Sequence, residues 1–384
     1  MNPRSAPADP PASLSVVIPC FNEERTLARC LERLLAITDD TLSIEIVIVD
    51  DCSTDRSLTV ARELATKYPN VRVLEHDRNR GKGAALRTGF GSVRGELVAV
   101  QDADLEYDPM DLKRLIEPLR RGEADVVLGS RFLSGGSRRV LYFWHYVANR
   151  FLTLLSNMFT DLNLSDMETG YKVFRREVLQ ALRLEENRFG IEPELVAKIA
   201  HRRLRIFEMG ISYSGRTYEE GKKIGARDAV RALYCILRYN AHSAPVPMQF
   251  LVYLVIGGTS ALVNILAFIG LYASGLPLTG AVLTAFALAA AVNYVLCIVF
   301  LFRHRARWTS AMEALVYVAL AAVAGLADLG ITRGLVATGL SPIVAKALGA
   351  SLGVFLNFAG RRFLVFPERG RGPWAPQVPP RDED

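Results

Sequence analysis

The chain has 384 residues, half of them apolar and 22% charged, with a formal net charge of +6. That composition excludes a disordered chain and a collagen-like one. The five cysteines (Cys20, Cys30, Cys52, Cys235, Cys297) are scattered, odd in number and form no CxxC, which argues against a disulfide scaffold or a zinc ribbon.

Residues 1–12 are rich in Pro and Ala with no apolar run, and are expected to be an unstructured tail rather than a signal peptide. After them, short apolar runs alternate with helical patterns. Leu14–Pro19, Ile44–Asp50, Val71–Leu74, Leu97–Val100 and Val126–Gly129 read as buried parallel strands. Glu23–Ala36, Ser57–Tyr68, Gly83–Val93 and Asp108–Arg121 read as the helices between them. The last opens on Asp108 and Pro109, a suitable N-cap and first-turn pair. The alternation predicts an α/β domain over residues 13–244 with a doubly wound, mostly parallel sheet. Such sheets bind ligands beyond the carboxyl ends of their strands.

Three polar clusters fall there. Asp50, Asp51, Ser53 and Asp55 follow the second strand; Asp102, Asp104 and Glu106 follow the fourth; Arg131 follows the fifth. Asp102 and Asp104 are two apart, so an extended backbone points both to one face. Hard oxygen ligands with no His or Cys beside them suit Mg²⁺ or Mn²⁺, which keep waters and bind substrate phosphates. A nicotinamide site is disfavoured, because Leu86 stands where GKGAAL needs its third glycine. There is no GxxxxGK[ST], so there is no P-loop.

Two segments, about 140–162 and 227–239, read as amphipathic helices lying at a bilayer surface. The first carries a polar stripe of His145, Asn149, Thr153, Ser156 and Thr160 behind Arg138 and Arg139. The second puts Val230, Leu233, Tyr234 and Leu237 on one face, with Arg227, Arg231 and Arg238 elsewhere.

Residues 245–367 change character. Met248–Ala273, Leu278–Phe302, Ala314–Val336 and Ile343–Phe366 are each long enough to cross a hydrocarbon core ~30 Å thick, which predicts four transmembrane helices. The links after the first and third stretches are uncharged. The second link holds Arg303, His304, Arg305 and Arg307, and the 368–384 tail holds Arg369 and Arg371. The positive-inside rule therefore puts the second link, both termini and the N-terminal domain on the cytoplasmic side of the cytoplasmic membrane. NYVLCIVFLF from Asn293 and NFAGRRFLVF from Asn357 form a weak repeat. Asp328 and Arg333 lie in the third stretch, where ionisable residues are functional suspects.

The segments SVVIPCFNEERTL, IVIVDDCSTDRS, RGKGAALRTGF, QDADLEYDP, VVLGSRF and ETGYKVFRREV, in that order, resemble family 2 glycosyltransferases of GT-A fold. Within that family the resemblance is to the dolichol-phosphate mannose synthase and undecaprenyl-phosphate glucosyltransferase branch, and it covers Leu14 to about Asn240. The membrane half is similar to the four-helix domain that accompanies polyprenyl-phosphate glycosyltransferases. The resemblance implies inverting transfer of a hexose from a nucleotide sugar, GDP-mannose or UDP-glucose, to a polyprenyl phosphate. It implies that Pro19, Asn22 and Glu23 line the nucleotide pocket, that Asp50 accepts from the base, and that Asp51 supports the loop. Asp102, Asp104 and Glu106 would hold the metal on the donor diphosphate. Arg131 and Arg216 would contact phosphates of acceptor or donor, and Lys222 and Lys223 belong to a basic loop closing over the donor.

A lipid phosphate has a second pKa of ~6 and is mostly ionised at neutral pH, so it needs little help from a base. Metal and Arg/Lys stabilise the leaving diphosphate. Asp166, Glu168 and Glu192 are placed to hold sugar hydroxyls, with Asp166 the alternative base. The expected partners are nucleotide sugar, polyprenyl phosphate and bilayer, not nucleic acid, with room for a homo-oligomer. A processive polysaccharide synthase is disfavoured, since the only Arg-Trp pair, Arg307-Trp308, lacks the Gln of QxxRW. A lipid-linked-sugar flippase or membrane scaffold is the alternative role for the C-terminal half.

Overall fold

The computed structural model describes residues 12–133, 139–140, 142–216, 225–302 and 310–341, together with 344, 348, 355, 356, 358–360, 362 and 363. The chain divides into two compact units, Met1–Tyr239 and Asn240–Asp384.

The first unit opens with strand β1, Ala12–Cys20, then helix α1, Leu27–Leu35, strand β2, Leu42–Asp50, and helix α2, Ser57–Lys67. Strand β3 is Val71–Glu75, helix α3 Lys82–Phe90, and strand β4 Leu97–Val100. β1, β2 and β4 are apolar on both faces because both are covered, as parallel strands between helix layers must be. α1 buries Leu27, Cys30, Leu31 and Leu34, one face of a 3.6-residue period. The helix anticipated over Glu23–Ala36 begins only at Leu27, because residues 23–26 form a turn.

The helix anticipated over Asp108–Arg121 is broken into α4, Met110–Leu115, and α5, Glu117–Arg120. Pro118 has no N–H to donate and its ring meets the carbonyl four residues back. Asp108 still caps: its Oδ1 accepts from the Met110 N–H at 3.1 Å.

Strand β5 is Val126–Ser130, helix α6 Phe143–Thr160, strand β6 Lys172–Arg175, and α7 Arg176–Gln180. Helix α8 is Ile191–His201, strand β7 Ile206–Gly210, and helix α9 Ala226–Asn240. The sheet order is β3-β2-β1-β4-β6-β5-β7. Only β6 is antiparallel, wedged between β4 and β5. β6 and β7 add two strands to the five read from the sequence. The order reverses at β1 and β4, which open their carboxyl ends into one crevice.

The second unit contains helix α10, Val246–Ala273, helix α11, Leu278–Leu296, and helix α12, Ser310–Ala337. α11 runs on as a π-helix over Cys297–Phe302. Val246–Ala273 and Leu283–Leu301 are long and apolar enough to cross a membrane. Inside this unit Asn293 donates to Ser260 at 3.1 Å, and Phe358 packs with Tyr253, Ile256, Cys297 and Leu301. Most of 343–366, the Asp328 side chain and the 368–384 tail lie outside the described residues.

Candidate active site

The β2 end supplies an unsatisfied acceptor. Asp50 Oδ2 accepts from the Ser53 N–H at 3.0 Å, while Oδ1 is buried with no hydrogen-bond partner among the described residues. A buried carboxylate oxygen left this way costs free energy unless a ligand donates to it. Asp51 faces the next loop. Its carboxylate meets His76 Nδ1 at 2.7 Å and accepts from the N–H groups of Arg80 at 2.9 Å and Gly81 at 2.7 Å. Asn22, at φ +55, is also a loop clamp: its Oδ1 accepts from the Thr54 N–H at 2.8 Å, and its own N–H donates to Ser53 at 3.1 Å. Pro19 and Glu23 line the cavity described below.

The β4 end supplies the acids. Leu105 sits at φ +63, a strained conformation for a side chain of that size. It lies between Asp104 and Glu106, and Asp102 and Glu106 both act on the Asp104 carboxyl. Lys82, the first residue of α3, bonds Asp102 at 2.9 Å and Glu192 at 3.1 Å. Burial works against its charge, but Asp102 and Glu192 outweigh it and hold the ammonium well above its ordinary pKa. Arg216 bonds Asp104 at 2.9 Å and Glu23 at 3.4 Å. Glu106 accepts from the Arg216 N–H at 2.8 Å and from the Tyr213 hydroxyl at 2.9 Å. Burial, then the charges of Asp102 and Glu106, push the Asp104 carboxyl up to about 7. Among the described residues no three Asp, Glu, His or Cys side chains stand ready as a metal cluster. The acids are held instead by Lys82 and Arg216.

The β5 end supplies Arg131. Its Nε and Nη2 donate to the two oxygens of Asp166, both at 2.7 Å, and its N–H donates to Asp166 at 3.0 Å. Asp166 is fully buried and both its oxygens are engaged. It orients Arg131 through both of its oxygens. Glu192 bonds Lys172 at 3.0 Å as well as Lys82. Glu168 stands nearby with Oε1 buried and unpartnered among the described residues.

Most of these groups, though not Asn22, Asp50, Asp166 or Lys172, line one cavity of about 650 Å³ within the first unit. It runs from Pro19, Glu23 and Asp104 past Lys82, Glu168 and Arg131 to Trp144 and Leu152 of α6 and Ala229 and Ala232 of α9. The polar stripe of α6 turns inward, burying Thr153 and Ser156. Phe143, Trp144, Phe151 and Leu154 are exposed, the reverse of an ordinary surface helix. α9 buries Ala232, Cys235, Ile236 and Tyr239. Lys222 and Lys223 lie outside the described residues.

Lys82, Lys172 and Tyr213 were not singled out from the sequence. Lys82 was within reach: it follows β3 directly after Gly81, whose φ of +94 ends the loop. The rule that polar residues after a strand are candidates applies to it as much as to Asp102.

A crevice at a sheet reversal, ringed by acids, Lys82, Arg131 and Arg216, defines a glycosyltransferase of GT-A fold. Residues 15–183 match the family described as glycosyl transferase family 2, and residues 252–366 match the GtrA/DPMS transmembrane domain. The chain belongs to glycosyl transferase family 2 and carries a GtrA/DPMS membrane domain. It is similar to the low-salt glycan biosynthesis hexosyltransferase Agl6 of Haloferax volcanii, 33% identical over 56% of this chain and 51% of the relative. It is 30% identical to the dolichol-phosphate mannosyltransferase of Pyrococcus furiosus over 59% of this chain and 64% of the relative. It is also 30% identical to the dodecaprenyl-phosphate galacturonate synthase of Rhizobium johnstonii, over 54% and 61%. The chain thus spans between half and two thirds of the length of these relatives.

Proposed function

We propose that the protein transfers a hexose from a nucleotide diphosphate sugar to a polyprenyl phosphate, inverting the anomeric carbon, at the cytoplasmic face of the membrane. The observation that carries this is the cavity itself, which joins an acid-and-cation end to an apolar end between α6 and α9. A charged nucleotide suits the first and a lipid tail the second. Relatives named for dolichol phosphate and dodecaprenyl phosphate support the acceptor class. Their names differ in the sugar.

Asp50 Oδ1 would accept from the base, with Asn22 and Asp51 fixing the loops on either side of it. Asp104, kept under-neutralised by Asp102 and Glu106, suits a hard divalent cation, Mg²⁺ or Mn²⁺. One or two carboxylates plus substrate phosphates are enough to bind such an ion, with Glu106 and Asp102 nearby. When bound, the ion would neutralise charge developing on the leaving diphosphate. Arg216, already drawn to Asp104 and Glu23, would close on the same diphosphate, and Lys222 and Lys223 would extend that loop. Arg131, locked by Asp166, would receive the acceptor phosphate. The exposed aromatics of α6 would rest in the bilayer interface, with the membrane unit as anchor.

The test is transfer by the full chain in detergent with a polyprenyl phosphate, Mn²⁺, and labelled GDP-mannose or UDP-glucose. Label extracted into the organic phase, and lost with EDTA, is the expected result. Nucleotide binding without lipid labelling from any donor would overturn the acceptor assignment.

A further inference from the structure

The sugar subsite can be located by elimination along the cavity. On the proposed function Asp50, whose neighbour Asp51 lines the cavity, marks the base end, and Asp104 with Arg216 the diphosphate end. Arg131 lies on the far side, among the residues leading to the apolar groove. A group attached to the diphosphate therefore falls between Asp104 and Arg131. Three carboxylates reach that stretch: Asp102, Glu192 and Glu168.

Two of them are neutralised. Lys82 bridges Asp102 and Glu192, and Lys172 bonds Glu192 at 3.0 Å. Arg131, the next cation, gives both side-chain bonds to Asp166. Glu168 is the acid left over. It lines the cavity, and its Oε1 has no partner among the described residues. Its segment is pinned against the acids, since the Gly170 N–H donates to the Tyr107 hydroxyl at 2.8 Å and a Cβ on Gly170 would meet Asp102 Oδ2 at 2.5 Å. Glu168, two residues before Gly170, is half-buried, and the charges acting on it are those of Glu192, Lys172, Arg131 and Asp166.

We propose that Glu168 is a specificity-determining residue of the donor site, bonding a hydroxyl of the transferred sugar and, with Glu192, rejecting sugars that carry a carboxylate. This rests on the glycosyltransferase reading above and adds the class of sugar. A neutral hexose supplies the donor that Oε1 lacks. A uronic acid would bring a further anion against Glu168 and Glu192, and like charges brought this close repel. Burial, and then the charge of Glu192, already push the Glu168 carboxyl up to about 7, outweighing the pull of Lys172 and Arg131.

A residue kept at the expense of the fold gives a distinctive signature. Replacing a half-buried acid that has a buried, unpartnered oxygen by an apolar side chain of similar length removes a destabilising group, so Glu168→Met should raise Tm while weakening sugar binding. A structural role would lower both. The experiment uses the full chain in detergent, with calorimetric affinities for GDP, GDP-mannose and GDP-mannuronate and for UDP, UDP-glucose and UDP-glucuronate. With whichever nucleotide binds, wild type should favour the neutral sugar over its uronate by about tenfold or more, a hydrogen bond plus a charge repulsion. Glu168→Gln should narrow that ratio to about threefold or less. Glu168→Met should lose about tenfold on the neutral sugar, with the bare nucleoside diphosphate unchanged. Equal wild-type affinities for neutral and acidic sugars, an unchanged ratio in Glu168→Gln, or parallel loss of nucleotide and nucleotide sugar would each overturn the proposal. Failure of wild type to bind either nucleotide would overturn the donor-site reading itself, and this one with it.

Discussion

The Arg216 guanidinium bonds the Asp104 carboxylate at 2.9 Å, although the two lie 112 positions apart in sequence. Glu23 and Glu106 complete the acids around it. Among the described residues Arg216 is the cation these three carboxylates share. Arg216→Gln should cost on the order of 2 kcal/mol by leaving half-buried acids without their partner, lowering Tm by about 4–8 °C. Mn²⁺ should restore more of that loss in the variant than it adds to wild type. Melting curves with and without the ion check this, and an equal response of both proteins would contradict it.

Asp104 and Glu168 are both pushed up to about 7. Each is an acid whose folded pKa lies above its unfolded value of about 4. The native state therefore binds more protons than the unfolded one between those values. The stability so gained is complete below about pH 4 and lost as pH rises through about 7. Asp104→Asn cannot ionise, so its metal-free Tm should gain on wild type from pH 5 to pH 8. A divalent cation favours the ionised form, so its stabilisation of wild type should grow over the same interval. Transfer by Asp104→Asn should fall about a hundredfold or more. A Tm difference independent of pH would remove Asp104 as the titrating group.

The parts of this arrangement that could be read from the sequence are those set by local pattern. β1, β2 and β4 are buried on both faces, so each carries an apolar run, Val16–Ile18, Ile46–Val49 and Leu97–Val100, that stands out. β6 does not: it has four residues, begins with a buried lysine, and runs antiparallel. β7 carries Glu208 in its centre, where the carboxylate accepts from the Ser165 and Asp166 N–H groups. In the site, Asp102 and Asp104 were legible as acids after a strand. Their pairing with Lys82 and Arg216 was not, because those residues arrive from 20 and 112 residues away. Asp166 was legible as an acid to hold a sugar hydroxyl or act as a base, but only the geometry reveals that Arg131 bonds both its oxygens.

That same pair gives a sharp test. The Arg131 and Asp166 side chains are 12% and 0% exposed, and removing one partner of a buried ion pair costs about 3–5 kcal/mol. Asp166→Asn should therefore lower the urea midpoint substantially. If Asp166 only orients Arg131, the surviving activity keeps the pH profile of wild type with a raised KM for the acceptor. Loss of one limb of the pH–rate curve would restore Asp166 as the base.

Gly170 shows how tightly the acids are packed. A Cβ there would stand 2.5 Å from Asp102 Oδ2, 2.9 Å from Tyr107 Cε2 and 3.1 Å from the Tyr107 hydroxyl. Tyr107 cannot retreat, because it stacks on Tyr171 at 4.6 Å between ring centres and both are buried. The carboxylate of Asp102 is the softer neighbour, so Gly170→Ala should push it off Lys82. Overpacking of this kind costs about 1–3 kcal/mol, leaving a folded protein. The displaced Asp102 should also weaken donor binding by about tenfold or more, since a charged hydrogen bond is worth about 1.5–3 kcal/mol. Gly91→Ala is the matched control: its φ is −70 and its new Cβ meets nothing closer than 3.6 Å, so it should be neutral or stabilising by up to about 1 kcal/mol. Calorimetric titration of both variants with the nucleotide sugar separates the outcomes. Equal affinities in the two would mean that Asp102 does not touch the donor.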